Sequence, residues 1–191
     1  KRATQNFRGL GNYSRGIIDG LMEFSNHDLV LYTPQFKDQR AIDWVKEHEG
    51  SRFKVVKPEG KLFNTLPSLW RSRGVSSNIL NDKLDIYHGL SHEIPYGLKG
   101  KPVNTVVTVH DLIFMRYPEF FPLIDRLSYK RKFTYAVKNA DLVIAICEQT
   151  KRDIIELLGG DHKKIIVHYQ SADPHFYHQR PFEMIKNLMT K

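Results

Sequence analysis

The chain has 191 residues, enough for one domain of ordinary size and too few for two full-sized ones. Lys and Arg number 29 and Asp and Glu 21, which gives a formal charge of +8. Apolar residues make up 41% of the chain, enough to build a core, and this content excludes a disordered tail. Cys147 is the only cysteine, so an intramolecular disulfide is excluded. We find neither an apolar run long enough to span a membrane nor an export signal after Lys1, so we expect a cytoplasmic protein and interpret the chain as a piece of a longer polypeptide.

The excess of basic residues suits three kinds of partner: nucleic acid, an anionic membrane surface, or an anionic small substrate such as a nucleotide. Net charge alone does not distinguish them. Basic residues concentrate in one segment, for which a solvated helix face is the simplest interpretation: Arg126, Lys130, Arg131, Lys132 and Lys138.

Short runs of Val, Ile and Leu alternate along the chain with longer stretches of helical periodicity. The runs predict six strands, at 28–33, 53–56, 85–88, 103–110, 142–146 and 164–169. The stretches between them predict a helix capped by Asn12, a helix from Asp38 to near Gly50, a weaker one over 65–80, a long one within 118–140, and one over 148–158 that Gly159 and Gly160 stop. This alternation predicts an α/β fold, with a Rossmann-like, doubly wound and mostly parallel sheet and helices on both faces.

One strand is missing from this pattern. Doubly wound domains place a strand directly before the first glycine loop, and residues 1–8 lack a strand pattern. Either the first strand lies upstream in the intact protein, or the sheet is completed in another way.

Two glycines precede the first predicted helix, at Gly9 and Gly11. Backbone N–H groups at a helix N-terminus attract phosphate, so Gly9, Leu10, Gly11 and Asn12 form a candidate anion site, with a plain tight turn as the alternative. A nicotinamide cofactor is disfavoured, because Ser14 stands where the dinucleotide fingerprint has its third glycine and the next strand does not end in an acidic residue.

Polar residues follow three predicted strands: His88 with Gly89, His110 with Asp111, and Glu148. The carboxyl ends of parallel strands meet at one edge of a sheet, where open α/β sheets bind ligands. Together these residues predict a polar crevice, although a structural hydrogen bond explains any single one equally well.

The sequence gives little support for a metal or a nucleophilic residue. His88 and His92 are four residues apart, but Gly89 and Pro95 disfavour a helix there, and neither a cysteine cluster nor paired carboxylates are present. There is no G-x-S-x-G turn, and Cys147 ends a buried strand. We therefore expect neither a metal cofactor nor a protein nucleophile.

Several segments, in order, resemble the N-terminal half of glycosyltransferase family 4, the retaining enzymes of GT-B fold. The segments are the glycine loop 8–13, the strand ends 85–89 and 106–112, the proline and aromatic loop 117–122, the stretch 140–151, and the crossover 164–176. The chain departs from the family at Cys147, where serine is usual, and at 168–173, where an asparagine-glycine turn is usual.

The resemblance implies a transferase that moves a hexose, for instance mannose, from a nucleotide sugar to a glycan or lipid-linked acceptor in cell-envelope polysaccharide synthesis. It implies that residues 9–12 contact the donor diphosphate and that His110 lies beside the transferred sugar. His88, Gly89 and Asp111 would lie near the acceptor or orient His110, and Glu148 would add a supporting polar contact. No cofactor or metal besides the nucleotide-sugar co-substrate is implied.

The resemblance also implies that residues 1–178 form an acceptor-side domain, that 179–191 begin an interdomain linker, and that a second Rossmann-like domain of the same polypeptide completes the donor site. The isolated chain is then expected to be inactive and to bind no nucleic acid. A non-catalytic Rossmann-like module that binds nucleotide or nucleic acid is the alternative. Aromatic residues Tyr129, Phe133 and Tyr135 among the basic residues of the 122–140 helix would allow peripheral contact with the inner face of the membrane.

Overall fold

Short parallel strands form the framework of the computed structural model, which describes residues 2–36, 38–50 and 52–172. The strands are β1 Leu29–Tyr32, β2 Phe53–Val56, β3 Ile86–Gly89, β4 Asn104–Val109, β5 Leu142–Ala145 and β6 Ile165–Val167. Each overlaps its predicted run. The Val- and Thr-rich run of β4 suits a strand that is largely buried. The predicted α/β class with parallel strands is confirmed.

The strands divide into two sheets where a single one was predicted. β1 pairs with β2 in one sheet, and the other has the order β3-β4-β5-β6. β1 and β3 are not hydrogen-bonded to each other, and residues 2–5 form a helix where a doubly wound domain would have its first strand. The expectation that the start of the chain contains no strand is therefore confirmed for residues 2–8.

Helices connect the strands. They are α1 Arg2–Gln5, α2 Gly9–Phe24, α3 Gln39–His48, α4 Lys61–Thr65, α5 Pro67–Leu69, α6 Val75–Asn81, α7 Ile113–Arg116, α8 Leu123–Asn139 and α9 Glu148–Leu158. A π-helical turn, Trp70–Gly74, joins α5 to α6, and 3-10 turns lie at Pro118–Phe120 and His162–Lys164.

The start of α2 differs from the prediction. Asn12 does not cap this helix, since the helix begins at Gly9 and the extended residue Arg8 occupies the N-cap position. The Arg8 carbonyl accepts the N–H groups of Gly11 and Asn12 at 2.9 and 3.0 Å. The Asn12 side chain instead accepts a hydrogen bond from Arg15 at 2.6 Å, one turn further along.

One other predicted helix is divided: the 65–80 prediction falls on α5, the π-helical turn and α6. The long helix predicted within 118–140 is confirmed as α8. Pro122 occupies the N-cap position of α8 in an extended conformation, because proline lacks the N–H that would continue a helix from the preceding turn. The predictions for α3 and α9 are confirmed: Asp38 caps α3, and Gly159 ends α9 in the left-handed conformation at φ +65°.

Three apolar clusters hold these elements together. The largest packs α8 and α9 on β4 and β5, and Val107, Val143 and Ile154 within it are fully buried. A second surrounds Trp70, and a third joins α2 and α3 to β1 and β2, with Trp44 packed at its margin. The largest cluster thus fixes α8 and α9 on the larger sheet, and the third fixes α2 and α3 on the smaller one.

No helix among the described residues is long and apolar enough to cross a membrane. The predicted linker at 179–191 and the last part of the predicted crossover, 173–176, lie outside the described residues.

Candidate functional site

His88 and Thr108 bring the carboxyl ends of β3 and β4 together. The His88 Nε2 atom lies 2.9 Å from Thr108 Oγ1, at hydrogen-bond distance across the two parallel strands. The Tyr13 hydroxyl lies 3.2 Å from the same Thr108 oxygen. Because Tyr13 belongs to the start of α2, this contact places the first helix of the glycine segment against the edge where β3 and β4 end.

His110 follows β4 directly and is only 5% exposed. Its Nε2 atom lies 3.0 Å from the Leu90 carbonyl oxygen, and its Nδ1 atom lies 2.9 Å from the Gln170 side-chain amide nitrogen. Since a carbonyl only accepts, Nε2 carries the proton and Nδ1 accepts from Gln170. The Tyr13 ring meets the imidazole edge-on, with ring centroids 4.7 Å apart. The ring of His110 is therefore fixed on one nitrogen by the backbone and on the other by a side chain that can rotate.

His92 supports the backbone of His110. The His92 ring is stacked on Phe133, with centroids 4.4 Å apart and an interplanar angle of 6°. Its Nδ1 atom accepts the His110 backbone N–H at 3.3 Å. His92 also adopts the left-handed backbone conformation at φ 62°, which is strained for a residue with a side chain. This strain is held by the stacking and by the bond that His92 N–H donates to the Thr108 carbonyl at 2.8 Å.

Burial keeps these three imidazoles uncharged. It lowers the pKa of His88 to about 4. It lowers the pKa of His92 to about 3, with smaller contributions from the charges of His110 and Arg2. Burial also lowers the pKa of His110, although the hydrogen bond to Leu90 and the nearby carboxylate of Asp111 act in the opposite direction. Near neutral pH the cluster therefore offers hydrogen-bonding nitrogens without positive charge.

Asp111 and Glu148 are the two acidic residues predicted for this edge of the sheet. Both are exposed, and Asp111 Oδ1 accepts the Ile113 N–H at 3.2 Å. Glu148 is the first residue of α9, and Thr150 in the same turn donates its hydroxyl to the His110 carbonyl at 2.9 Å. The turn that carries Glu148 is therefore attached to the residue after β4.

Cys147 caps α9 in the position where the family usually has serine. Its Sγ atom accepts the Thr150 N–H at 3.5 Å and lies 3.3 Å from the Thr150 hydroxyl. The hydrogen bond from the Thr150 side chain lowers the pKa of the Cys147 thiol. Cys147 therefore caps α9 through a sulfur atom, a longer and weaker acceptor than an oxygen.

The glycines of the candidate anion site differ in their surroundings. A Cβ atom on Gly11 would lie 1.6 Å from the Asn6 carbonyl oxygen, whereas a Cβ atom on Gly9 would meet nothing within 4 Å. Gly11 therefore allows the segment after α1 to pack directly on α2. The N–H groups of Gly11 and Asn12 donate to the Arg8 carbonyl at the start of the helix. The N–H groups of Gly9 and Leu10 precede these bonds, at the positions where a helix has no intrahelical acceptor for them.

Gly89 also permits a close backbone approach. A Cβ atom there would lie 2.2 Å from the Glu93 carbonyl oxygen, because the chain turns back sharply after β3. The absence of a side chain at Gly89 thus shapes the loop that carries Leu90 and His92.

Three residues of this arrangement were not singled out as site residues from the sequence: Tyr13, Thr108 and Gln170. Tyr13 entered the sequence analysis only as the last residue of the glycine loop 8–13, and Thr108 lies inside a Val-rich strand. Gln170 falls in the segment 168–173 that departs from the family, which is the one signal that could have drawn attention to it. Within the described ranges, no group of three or more His, Cys, Asp or Glu side chains could hold a metal ion.

The family model described as Glycosyltransferase Family 4 matches residues 7–176, which include every residue of this cluster. Among curated proteins, no match to the chain was found.

Proposed function

Since the chain belongs to glycosyltransferase family 4, we propose that it is the N-terminal, acceptor-side half of a retaining transferase of GT-B fold. Its reaction is the transfer of a hexose from a nucleotide sugar to a glycan or lipid-linked acceptor in cell-envelope polysaccharide synthesis. One observation supports this role above the others: His88, Thr108, Tyr13 and His110 converge at the carboxyl edge of a parallel sheet.

In this proposal His110 orients the transferred sugar. Its Nε2–H is held by the Leu90 carbonyl, so the ring cannot turn freely. Its Nδ1 atom is an acceptor, and a sugar hydroxyl can replace the Gln170 amide there as the donor. A neutral ring suits this task, because the reacting sugar gains positive charge at its anomeric carbon and a nearby cation would oppose that change.

The diphosphate of the donor would lie at the start of α2. The N–H groups of Gly9 and Leu10 and the positive end of the helix dipole favour an anion there. Negative charge grows on the departing phosphate during transfer, so these groups would stabilise the transition state. A second domain in the same polypeptide would supply cationic side chains from the opposite side. Asp111, Glu148 and His88 would lie on the acceptor side of the cleft.

The test uses the intact polypeptide that contains this domain and a panel of UDP- and GDP-hexoses. Replacing His110 by Gln keeps a hydrogen-bonding side chain of similar reach but loses the fixed ring, and we expect kcat to fall about 100-fold, in keeping with lost orientation. His27→Ala is the matched control, because His27 is exposed and lies before β1, away from the carboxyl edge. A His110→Gln variant with normal turnover would show that His110 does not orient the sugar.

The isolated chain gives a second test. We expect residues 1–191 alone to transfer no sugar, because half of the donor site would be absent, and measurable transfer would contradict the proposed division of labour. Tight oligonucleotide binding that falls steeply with salt, without any dependence on sugar nucleotide, would favour the alternative of a non-catalytic binding module.

We also propose that the domain touches an anionic membrane surface through the start of α8. The apolar residues there are well exposed: Phe120 by 74%, Leu123 by 62%, Ile124 by 81% and Leu127 by 61%. The exposed Lys130 lies one turn further along the helix. Such a mixture of apolar and basic residues suits the headgroup region of an anionic bilayer.

Tyr129 is 38% exposed, but the other two aromatic residues first considered for this contact pack within the domain. Phe133 is 9% exposed and stacks on His92. The Tyr135 hydroxyl accepts the Gly97 N–H at 3.3 Å. Neither residue is placed to enter a membrane, so the proposed contact moves one to three turns towards the start of the helix.

Sedimentation with phosphatidylglycerol-containing and pure phosphatidylcholine vesicles tests the contact. We expect the double variant Ile124→Ser, Leu127→Ser to lose recovery with anionic vesicles. Leu62→Ser is the matched control, since Leu62 is 59% exposed on α4. Equal recovery of the unaltered protein with both kinds of vesicle would refute the contact.

A further inference from the structure

A cavity of about 550 Å³ has two of the strand-end residues in its lining, His88 and Asp111. The proposed function places both on the acceptor side of the cleft. Cavities that bind small molecules have volumes of roughly 300–1,000 Å³, so this one is large enough to receive part of an acceptor. The charged residues that complete the lining indicate which chemical group that part carries.

Two basic residues of the lining share one carboxylate. The Arg71 Nε atom lies 3.3 Å from Glu93 Oε1, and the Lys132 Nζ atom lies 3.3 Å from Glu93 Oε2. Arg71 belongs to the π-helical turn, Lys132 to α8, and Glu93 to the loop after β3. Three separate parts of the chain thus bring their charges to one wall of the cavity.

This trio carries an excess of positive charge. Burial acts to raise the pKa of Glu93, but the charges of Lys132 and Arg71 outweigh burial and lower this pKa. Glu93 is therefore ionised near neutral pH, and it compensates only one of the two cations. The wall that the trio forms can accept one further negative charge.

The ion pairs also leave donors of both cations unused. A charge-assisted hydrogen bond from nitrogen to a carboxylate is about 2.7–2.9 Å long, so both contacts at 3.3 Å are loose. Among the described residues, neither cationic group bonds any side chain or carbonyl besides Glu93. The Arg71 side chain is only 18% exposed, so it has lost most of its hydration without gaining a second protein acceptor.

A hydroxyl group in the same lining lacks a partner. The Ser91 Oγ atom is buried, and within the described ranges it has no hydrogen-bond partner. Such an atom is destabilising unless a further group satisfies it. Ser91 stands two residues before Glu93 in the loop after β3. A ligand with several acceptor oxygens would therefore satisfy groups of this loop and of the two cations together.

We propose that the cavity binds a phosphate group of the acceptor through Arg71 and Lys132, a proposal that rests on the transferase function proposed for the chain. The guanidinium group donates two parallel hydrogen bonds to phosphate oxygens, and the ammonium group acts as a compact charge beside them. The Ser91 hydroxyl donates to another oxygen of the same ligand. A phosphodiester bears one negative charge, which matches the charge that Glu93 leaves uncompensated, whereas an uncharged glycan would leave both cations poorly satisfied.

The test measures binding by equilibrium dialysis, with the chain and without any sugar nucleotide. The radiolabelled probes are glucose 1-phosphate, water-soluble dihexanoyl phosphatidylglycerol, and methyl glucoside as the uncharged control. We expect saturable binding of at least one phosphate probe and none of methyl glucoside. Tighter binding of the lipid probe would assign the phosphate to a lipid headgroup, and tighter binding of glucose 1-phosphate would assign it to a phosphorylated sugar. Failure of both phosphates to bind would overturn the proposal.

Single charge changes show whether the trio holds the phosphate. Arg71→Gln and Lys132→Gln each remove a cation, and we expect the dissociation constant to rise about tenfold or more. Glu93→Gln removes the carboxylate that competes with the phosphate, so we expect binding to become about two- to fivefold tighter. Arg73→Gln is the matched control, because the exposed Arg73 belongs to the same turn but does not line the cavity.

The Glu93→Gln variant separates a binding site from a purely structural ion pair. If the trio served only the fold, loss of the carboxylate would bring no gain in phosphate affinity, and a misfolded variant could not bind more tightly. Equal affinity of Arg71→Gln and Arg73→Gln, or weaker binding by Glu93→Gln, would overturn the proposal. Dialysis involves no transfer reaction, so an intact polypeptide that transfers no sugar would overturn the proposed function separately from this result.

Discussion

Replacing Gly11 by Ala tests whether this glycine serves packing of the chain's own start. The new Cβ atom would lie 1.6 Å from the Asn6 carbonyl oxygen, and an ordinary contact requires at least 3.4 Å, so the backbone of residue 6 must move by about 1.8 Å. That carbonyl accepts a hydrogen bond from the Arg15 guanidinium at 3.0 Å, and the Ala3 carbonyl accepts another at 2.7 Å. Displacement of the segment would weaken both bonds.

The magnitude follows from these two bonds. A hydrogen bond to a charged group contributes about 1.5–3 kcal/mol, and Ala gains up to about 1 kcal/mol over Gly within a helix. We therefore expect Gly11→Ala to lower the free energy of unfolding by about 3 kcal/mol. Gly9→Ala is the matched control: its Cβ atom meets nothing within 4 Å, so we expect no loss and a gain of up to about 1 kcal/mol.

Urea unfolding followed by far-ultraviolet circular dichroism measures both variants. With a slope of about 2 kcal/mol per molar urea, Gly11→Ala should lower the midpoint by about 1.5 M relative to the unaltered chain. Free energies of Gly11→Ala and Gly9→Ala that agree within about 0.5 kcal/mol would refute the packing role. Gly11 would then have no structural requirement in this helix.

Three further predictions concern the imidazoles and the caps around them. An unfolded imidazole has a pKa of about 6.5, whereas folding lowers the pKa of His88 to about 4 and of His92 to about 3. The unfolded chain therefore takes up more protons than the folded chain as the pH falls below 6.5, and the free energy of unfolding should drop by about 2 kcal/mol for each group between pH 7 and 5. Urea midpoints that do not change over this pH range would contradict the prediction. Thr108→Val removes the hydroxyl that both His88 Nε2 and the Tyr13 hydroxyl contact. We expect it to lower the free energy of unfolding by about 1–3 kcal/mol. An unchanged urea midpoint would show that these contacts do not stabilise the fold. Cys147→Ser supplies a better acceptor to the first turn of α9 and should raise the free energy of unfolding by a few tenths to about 1 kcal/mol, whereas Cys147→Ala should lower it. A Cys147→Ala variant that melts at a higher temperature than Cys147→Ser would show that residue 147 does not cap the helix.

The sequence predicted the strands well because each is a short run dominated by aliphatic, aromatic or β-branched residues, most clearly in β4 and β6. The errors lie where tertiary contacts override local signals. Asn12 is a good capping residue, but α2 begins four residues earlier, at Gly9, where the segment after α1 packs on Gly11. One helix was predicted over 65–80, where a π-helical turn instead separates α5 from α6.

The candidate site was predictable to the extent that it follows strand ends. His88, His110 and Asp111 could be placed at one edge from the rule for parallel sheets alone. The partners Tyr13 and Gln170 could not, because they reach the cluster from 95 residues before Thr108 and 60 residues after His110. Such contacts depend on how helices pack on the sheet, which local periodicity does not encode.

The two tryptophans of the chain divide between the smaller apolar clusters. Trp70 is almost fully buried and lies 3.3 Å from Asn78 through its indole nitrogen, while Trp44 donates to Asp19 at 2.8 Å beside β2. Tryptophan emission therefore reports on the two smaller clusters, and responds little to changes in the largest cluster around β4 and β5. Single-tryptophan variants would therefore show which of the two smaller clusters changes when a ligand is added.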